Sequence, residues 1–119
     1  MTLHHFKSNP ILWHRFAQKQ TDTRIALKTR RAVGCTTTTA MAILGMATLD
    51  RLATIGEVSD AAGHRLAQST LVALETKGHA IRQGGWPQLW IITEKGRKEA
   101  RRIERDTLAL VEKLTQPKL

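Results

Sequence analysis

The stretch that decides the fold runs from residue 53 to residue 97 and reads ATIGEVSDAAGHRLAQSTLVALETKGHAIRQGGWPQLWIITEKGR. Its first part, residues 53–63, is a short run of small and apolar residues that stops at Gly63. After His64 and Arg65, a second helical run from Leu66 to Lys77 is closed by Gly78, the residue type that most readily takes the left-handed conformation at a helix end. Short helix, glycine turn, longer helix is the order of a helix-turn-helix, with residues 65–77 as the recognition helix. The run from His79 to Gln83 then reads as a strand, Gly84 and Gly85 supply the positive-φ pair of a tight hairpin, and Trp86 to Thr93 returns. On the return, Leu89 and Ile91 face one way while Trp90 and Ile92 face the other. Pro87 cannot donate to a ladder and marks that strand as an edge. Residues 79–93 are expected to form a two-stranded wing.

On the N-terminal side, Met41, Ala42, Leu44, Gly45, Leu49 and Leu52 support a helix from Thr39 to about residues 51–53, apolar around most of its circumference and therefore central to the core. Gly45 lets a neighbour approach closely. The four threonines Thr36 to Thr39 read as a hinge and a cap. Before them, Asn9 and Pro10 open one short helix, and Thr21 or Asp22 caps a second that stops at Gly34. Its bases Arg24, Lys28 and Arg31 share one face, either solvated or in contact with phosphates. On the C-terminal side, Thr93 caps a long polar helix with Glu94 in its first turn. There Gly96, Ala100, Ile103, Thr107, Leu110 and Leu114 recur at alternating spacings of four and three, a heptad seam widened by Leu108 and Val111 and suited to packing on a twin. The expected organisation is a basic helical arm over 1–38, a reading head over 39–96 and a C-terminal helix over 97–119 as a dimerisation arm. The fold class is mainly α with a small β-hairpin, a winged helix-turn-helix carrying extra N-terminal helices and a long C-terminal helix.

The chain of 119 residues carries 19 Lys and Arg against 10 Asp and Glu, a formal net charge of +9 with 41% hydrophobic residues. A disordered basic tail would lack that apolar content, so the balance describes a folded basic protein whose partners are polyanions, double-stranded DNA above all. The excess is uneven: residues 1–34 hold net +6, residues 35–93 are neutral and residues 94–119 hold net +3. A neutral head between basic arms suggests that base choice and phosphate affinity are divided. No apolar run reaches the length of a membrane span and the N-terminus lacks the apolar stretch of a signal peptide, so a cytoplasmic protein without a membrane partner is expected.

Two words in the opening stretch carry a family likeness. Leu74-Glu75-Thr76-Lys77-Gly78-His79-Ala80 is similar to the exit of a recognition helix, and Ile92-Thr93-Glu94-Lys95-Gly96-Arg97 is similar to the end of a wing, in the winged helix-turn-helix regulators of the MarR-like and PadR-like kind. Over residues 39 to about 100 the chain resembles that superfamily. Two departures stand out: the stretch from Gly63 to Gly78 is slightly shorter than usual, and His79 follows the helix-ending glycine where such proteins carry an apolar residue. The resemblance implies a recognition helix in the major groove, a wing on the backbone or in the minor groove, and dimerisation through terminal helices.

On the recognition helix, Ala67, Leu71 and Leu74 are expected to face the core. Arg65, Gln68, Ser69, Val72 and Thr76 form the opposite stripe. Arg65 can fork to guanine, Gln68 can pair with adenine, Ser69 can serve base or phosphate, and an exposed Val72 can meet a thymine methyl. The plainer reading is a solvent-facing stripe on a core helix. Thr76, Lys77, Arg82, Gln83, Gly84 and Gly85 are backbone or wing candidates, and Trp86 and Trp90 read as hairpin and core packing before they read as stacking platforms. Arg97, Lys98, Arg101, Arg102 and Arg105 cluster at the start of the last helix, partly paired with acids and partly available to phosphates or a dimer contact.

Catalytic chemistry is not legible. His4 and His5 are terminal, and His14, His64 and His79 lack a carboxylate or cysteine at ligand spacing, so no metal and no cofactor is expected. The single Cys35 excludes an internal disulfide and lacks an identifiable histidine and acid, so it reads as a structural thiol. Gly84 and Gly85 lack the lysine and helix of a phosphate loop. Two functions from different classes follow. One is a homodimeric, sequence-specific transcriptional regulator. The other is a winged-helix interaction or assembly module of a phage or mobile element, with a protein partner and only non-specific affinity for nucleic acid.

Overall fold

The computed structural model of the chain describes Arg31 and residues 34–115, with the backbone alone for 111–115. Within them the order is α1 (Thr37–Leu49), α2 (Ile55–Ala62), α3 (Gln68–Thr76), β1 (Ala80–Gln83), β2 (Leu89–Ile92) and α4 (Glu94–Thr115). The described part is mainly helical with one antiparallel hairpin. The expected helices before Gly34 lie outside the described residues apart from Arg31.

The threonine run is a cap and a first turn. Thr36 Oγ1 accepts from the Thr39 amide at 3.2 Å, and α1 begins at Thr37, two residues earlier than the apolar pattern suggested. Ala40 through Met46 are all buried, so α1 is the helix around which the others pack. It stops at Asp50, whose φ of 48° ends the helix while its amide bonds back to Met46. Helix α2 opens on a capping box that the residue types Thr54 and Glu57 encode: the Glu57 amide donates to Thr54 Oγ1 at 3.2 Å, and the Thr54 amide donates to Glu57 Oε1 at 3.1 Å. The Thr54 amide, and then Arg51 at 2.8 Å, hold the Glu57 carboxyl below its ordinary range. Residue 53 is not helical. Ala53 exchanges backbone bonds with Trp90 at 2.9 and 2.8 Å, which ties the linker between α1 and α2 to the hairpin.

Helix α3 is shorter than the expected 65–77. Ala67 stands at its N-cap, exposed, and not on the core stripe, while Leu71 and Leu74 are buried as the pattern required. Its end is a Schellman motif: the His79 amide bonds to the Leu74 carbonyl at 2.9 Å and the Gly78 amide to Glu75 at 2.9 Å, with Gly78 at φ 79°. The hairpin pairs Ala80 with Ile92, Ile81 with Ile91, Arg82 with Trp90 and Gln83 with Leu89. Trp90 and Ile92 face the core and Leu89 and Ile91 are half-buried, the alternation expected. The connection is a five-residue loop over 84–88 instead of a two-residue turn, and of its two glycines only Gly85 has positive φ. Trp86 is 95% exposed, so it packs neither hairpin nor core.

Thr93 caps α4 as expected, accepting from the Gly96 amide at 3.0 Å. The stripe read as a dimer seam is filled by the chain itself: Ala100 and Ile103 belong to the same core as Met41, Leu71, Leu74 and Trp90, and Thr107 and Leu110 are buried as well. The side chain of Leu114 lies outside the described residues. Helix α4 therefore runs through the expected boundary at 96 and 97 as part of one packed unit. Gly96 is where it touches the rest most closely. A Cβ there would meet the His79 carbonyl oxygen well inside contact distance and lie 2.7 Å from Ile92 Cγ1.

Gly96→Ala is expected to lower stability by about 3 kcal/mol, because the obstacle is backbone and cannot swing aside; urea denaturation measures it. His79 is buried, and burial, opposed by Glu99 at 3.7 Å, leaves its imidazole below its ordinary value of 6.5. A depressed folded-state value means that the neutral ring is the native form. Stability is therefore whole above 6.5 and declines as pH falls below it. Denaturation midpoints measured from neutral pH downward should show that decline, and His79→Asn should flatten it.

Candidate nucleic-acid interface

The outward face of α3 follows from where its apolar residues go. Burying Leu71 and Leu74 turns Gln68, Ser69, Ala73 and Thr76 outward, all exposed. Val72 differs from its expected role: it is half-buried and packs against the core, so the apolar group on this face is the Ala73 methyl, which the stripe reading missed. Arg65 is exposed but precedes the helix, in the turn held by the bond from the Leu66 amide to Ser59 Oγ at 3.0 Å. It approaches a ligand from a loop, and not from the helical stripe on which its spacing put it. The Thr76 hydroxyl donates to the Val72 carbonyl at 3.0 Å, which leaves its oxygen able to accept.

Charge on this face is decided by pairing. In residues 35–93, Arg51 is held by Glu57 at 2.8 Å and Arg82 by Glu75 at 3.1 Å, while Asp50 is taken by Arg97 at 2.9 Å. Among the described residues, neither Arg65 nor Lys77 is within ion-pair distance of a carboxylate. These two exposed cations bracket α3. Arg82 does not extend from the wing as expected: its guanidinium lies 5.1 Å from the centre of the Trp90 ring, opposite it in the ladder, as well as pairing with Glu75. Gln83, Gly84 and Gly85 are exposed.

The basic cluster on α4 is mostly neutralised. Arg97 bonds to Asp50 and Glu94, and the Asp50 carboxylate raises its already high pKa. Arg101 is 3.7 Å from Glu94, Arg102 pairs with Glu99 and Asp106, and Arg105 pairs with Asp106. Glu94 serves Arg97 and Arg101 and not Lys98, which lies four residues on. Arg31 is exposed, and Arg24 and Lys28 lie outside the described residues.

Cavities flank α3, and among the described residues two of them have α3 side chains in their walls. One, of about 370 Å³, lies between the hairpin loop and the N-terminal ends of α2 and α3, with Ile55, Gln68, Trp86, Pro87, Gln88 and Trp90 among its walls. Gln68 Nε2 donates to Gln88 Oε1 in its wall at 3.3 Å. The other, of about 110 Å³, gathers Cys35, His79, Glu99 and Arg102 behind α3. The histidine and acid that spacing could not find for Cys35 thus stand near it, brought there by the helix end and by α4. Burial pushes the Cys35 thiol up while it depresses the imidazole, so the pair is a thiol beside a neutral ring and lacks the thiolate of a nucleophile. Among the described residues no group of three His, Cys, Asp or Glu side chains is arranged to hold a metal ion, and no helix is long and apolar enough to cross a membrane.

No family model, no curated protein and no solved structure matches this chain.

Proposed function

We propose that this protein is a sequence-specific, double-stranded-DNA-binding transcriptional regulator of winged helix-turn-helix architecture, with α3 as the recognition helix and the β1–β2 hairpin as the wing. The observation that carries the reading is the outward face of α3: polar groups capable of reading base edges, Gln68, Ser69 and Thr76, around the Ala73 methyl, with an unpaired cation at each end. Nine residues of helix span about 14 Å. The major groove is about 12 Å wide, so a helix of this size can enter it with Arg65 before and Lys77 after the segment that would meet the bases. In this arrangement Gln68 pairs with adenine, Ala73 meets a thymine methyl, and Arg65 either forks to guanine or anchors the strand.

Because Ala100 and Ile103 serve the interior of the subunit, the proposal concerns the reading head of one chain, and a homodimer would use other surface. The alternative, a protein-binding module, draws on the outer face of the hairpin, where Ile81 is 58% exposed beside Ile91. Selection of bound sites from random DNA, followed by gel shifts at raised salt with competitor, separates the two. A discrete complex that survives supports the regulator. Its collapse removes that reading.

With a selected site in hand, Gln68→Ala and Arg65→Ala should each cost about 1–3 kcal/mol on that site and relax preference at one base position, whereas Lys77→Ala should weaken all sequences alike and reduce the salt slope by about 1. Unchanged preference in Gln68→Ala, read by competition binding, would remove that residue from the interface. Arg82→Ala should leave the salt slope unchanged and instead lower thermal stability by about 1 kcal/mol, since its guanidinium is spent on Glu75 and Trp90.

A further inference from the structure

We propose that the cleft between the hairpin loop and the N-terminal ends of α2 and α3 takes one unstacked nucleobase of a bound duplex, with Trp86 as the platform on which it stacks. The inference rests on the reading of α3 as a DNA-contacting helix and adds to it a second, chemically different contact.

Trp86 is the first observation. An indole that remains 95% exposed leaves a large apolar area in water, the more so because Trp90, four residues on, is fully buried. The fold uses one tryptophan and presents the other. The walls of the adjoining cleft are the second observation. None of the residues that line it, from Thr54 and Ile55 through Gln68 to Trp86, Pro87 and Trp90, is charged, and at about 370 Å³ it admits a planar heterocycle. A phosphate would find no cation there, so the occupant is a neutral planar group.

The third observation is the pair of amides in the wall of the cleft. Gln68 Nε2 donates to Gln88 Oε1 at 3.3 Å, which leaves Gln68 Oε1 as an acceptor and the Gln88 amide nitrogen as a donor. An acceptor and a donor side by side match the polar edge of a base in the way that single glutamines match adenine. Gln68 also belongs to the exposed face of α3, so a duplex seated on that face brings a strand to the cleft. A base leaves the stack most easily where it is unpaired or poorly paired, so the cleft favours locally opened DNA. The loop over 84–88 carries no charge, so this contact contributes to shape preference and little to salt dependence.

The test uses the full chain and two fluorescent duplexes of mixed sequence, identical except that one carries a single extrahelical adenine at its centre. Fluorescence anisotropy should give tighter binding to the bulged duplex by on the order of tenfold. Trp86→Ala should abolish that preference without changing affinity for the perfect duplex or its salt slope, and Trp86→Phe should retain most of it. Since residue 86 is exposed, circular dichroism of the variants should match that of the parent. Equal affinity of the parent for the two duplexes, or a preference that persists in Trp86→Ala, overturns the inference while leaving the reading of α3 intact. Failure to bind either duplex at low salt overturns both. A concentration-dependent dimer in light scattering that Trp86→Ala dissolves would assign the cleft to a second copy and overturn the inference as well.

Discussion

The structure depends on how the end of α3 is joined to the start of α4. A helix leaves its last carbonyls without partners, and here the Leu74, Glu75 and Lys77 carbonyls are met from two directions. The chain folds back on itself through the amides of Gly78 and His79. The residues that begin α4 then engage the carbonyls of the cap and of the two residues after it: Thr93 Oγ1 donates to the Gly78 carbonyl at 2.7 Å, the Thr93 amide to His79 at 3.0 Å, and Lys95 Nζ to Lys77 at 2.9 Å. Thr93 Oγ1 at the same time accepts from the Gly96 amide, so one hydroxyl closes α3 and opens α4. The hairpin leaves from this junction and returns to it. Its direction, and with it the position of Trp86 and Gln88 against Gln68, is fixed by a handful of backbone bonds whose geometry requires that residue 96 have no side chain.

This junction gives physical content to the two family-like words of the sequence. Leu74 to Ala80 and Ile92 to Arg97 look like independent signatures, yet they are the two halves of one contact, brought together by antiparallel pairing of Ala80 with Ile92. His79 sits inside the contact. Its backbone carries bonds in both directions, while its ring lies in a small cavity beside Cys35, Glu99 and Arg102. An apolar side chain at that place would need no partner. An imidazole there has an unsatisfied Nδ1 and makes the junction sensitive to acid.

Electrostatics shows how a net charge can mislead about a surface. A neutral segment suggests a neutral face, but the acids Asp50, Glu57 and Glu75 are engaged by Arg97, Arg51 and Arg82. Among the described residues, the exposed charges outside these pairs near α3 are Arg65, Lys77 and Lys95, with Asp60 across the turn from Arg65. Conversely, the basic cluster at the start of α4 is largely spent on Glu94, Glu99 and Asp106, within reach at three- and four-residue spacings. Exposed ion pairs of this kind contribute little to stability. Their consequence is to redistribute charge.

Local signals were legible in the sequence because local physics produces them. Helix stops at Gly63 and Gly78, the cap at Thr93, burial of Leu71 and Leu74, and the alternation in β2 all arise from the conformational freedom of glycine, the side-chain acceptor of threonine and the periods of helix and strand. The same reasoning found the close approach of Ala62 to Gly45 but misjudged other features that depend on a distant neighbour. A heptad pattern says that one face of α4 is apolar and cannot say whether the chain's own core or a twin covers it; packing with α1, α3 and Trp90 decided for the core. Two tryptophans four residues apart have equal claims on burial by composition, and the ladder register with the bridge to Ala53 buried Trp90 while the loop left Trp86 in solvent. Periodicity sees only the chain's own turns, and partnership across space is what tertiary structure adds.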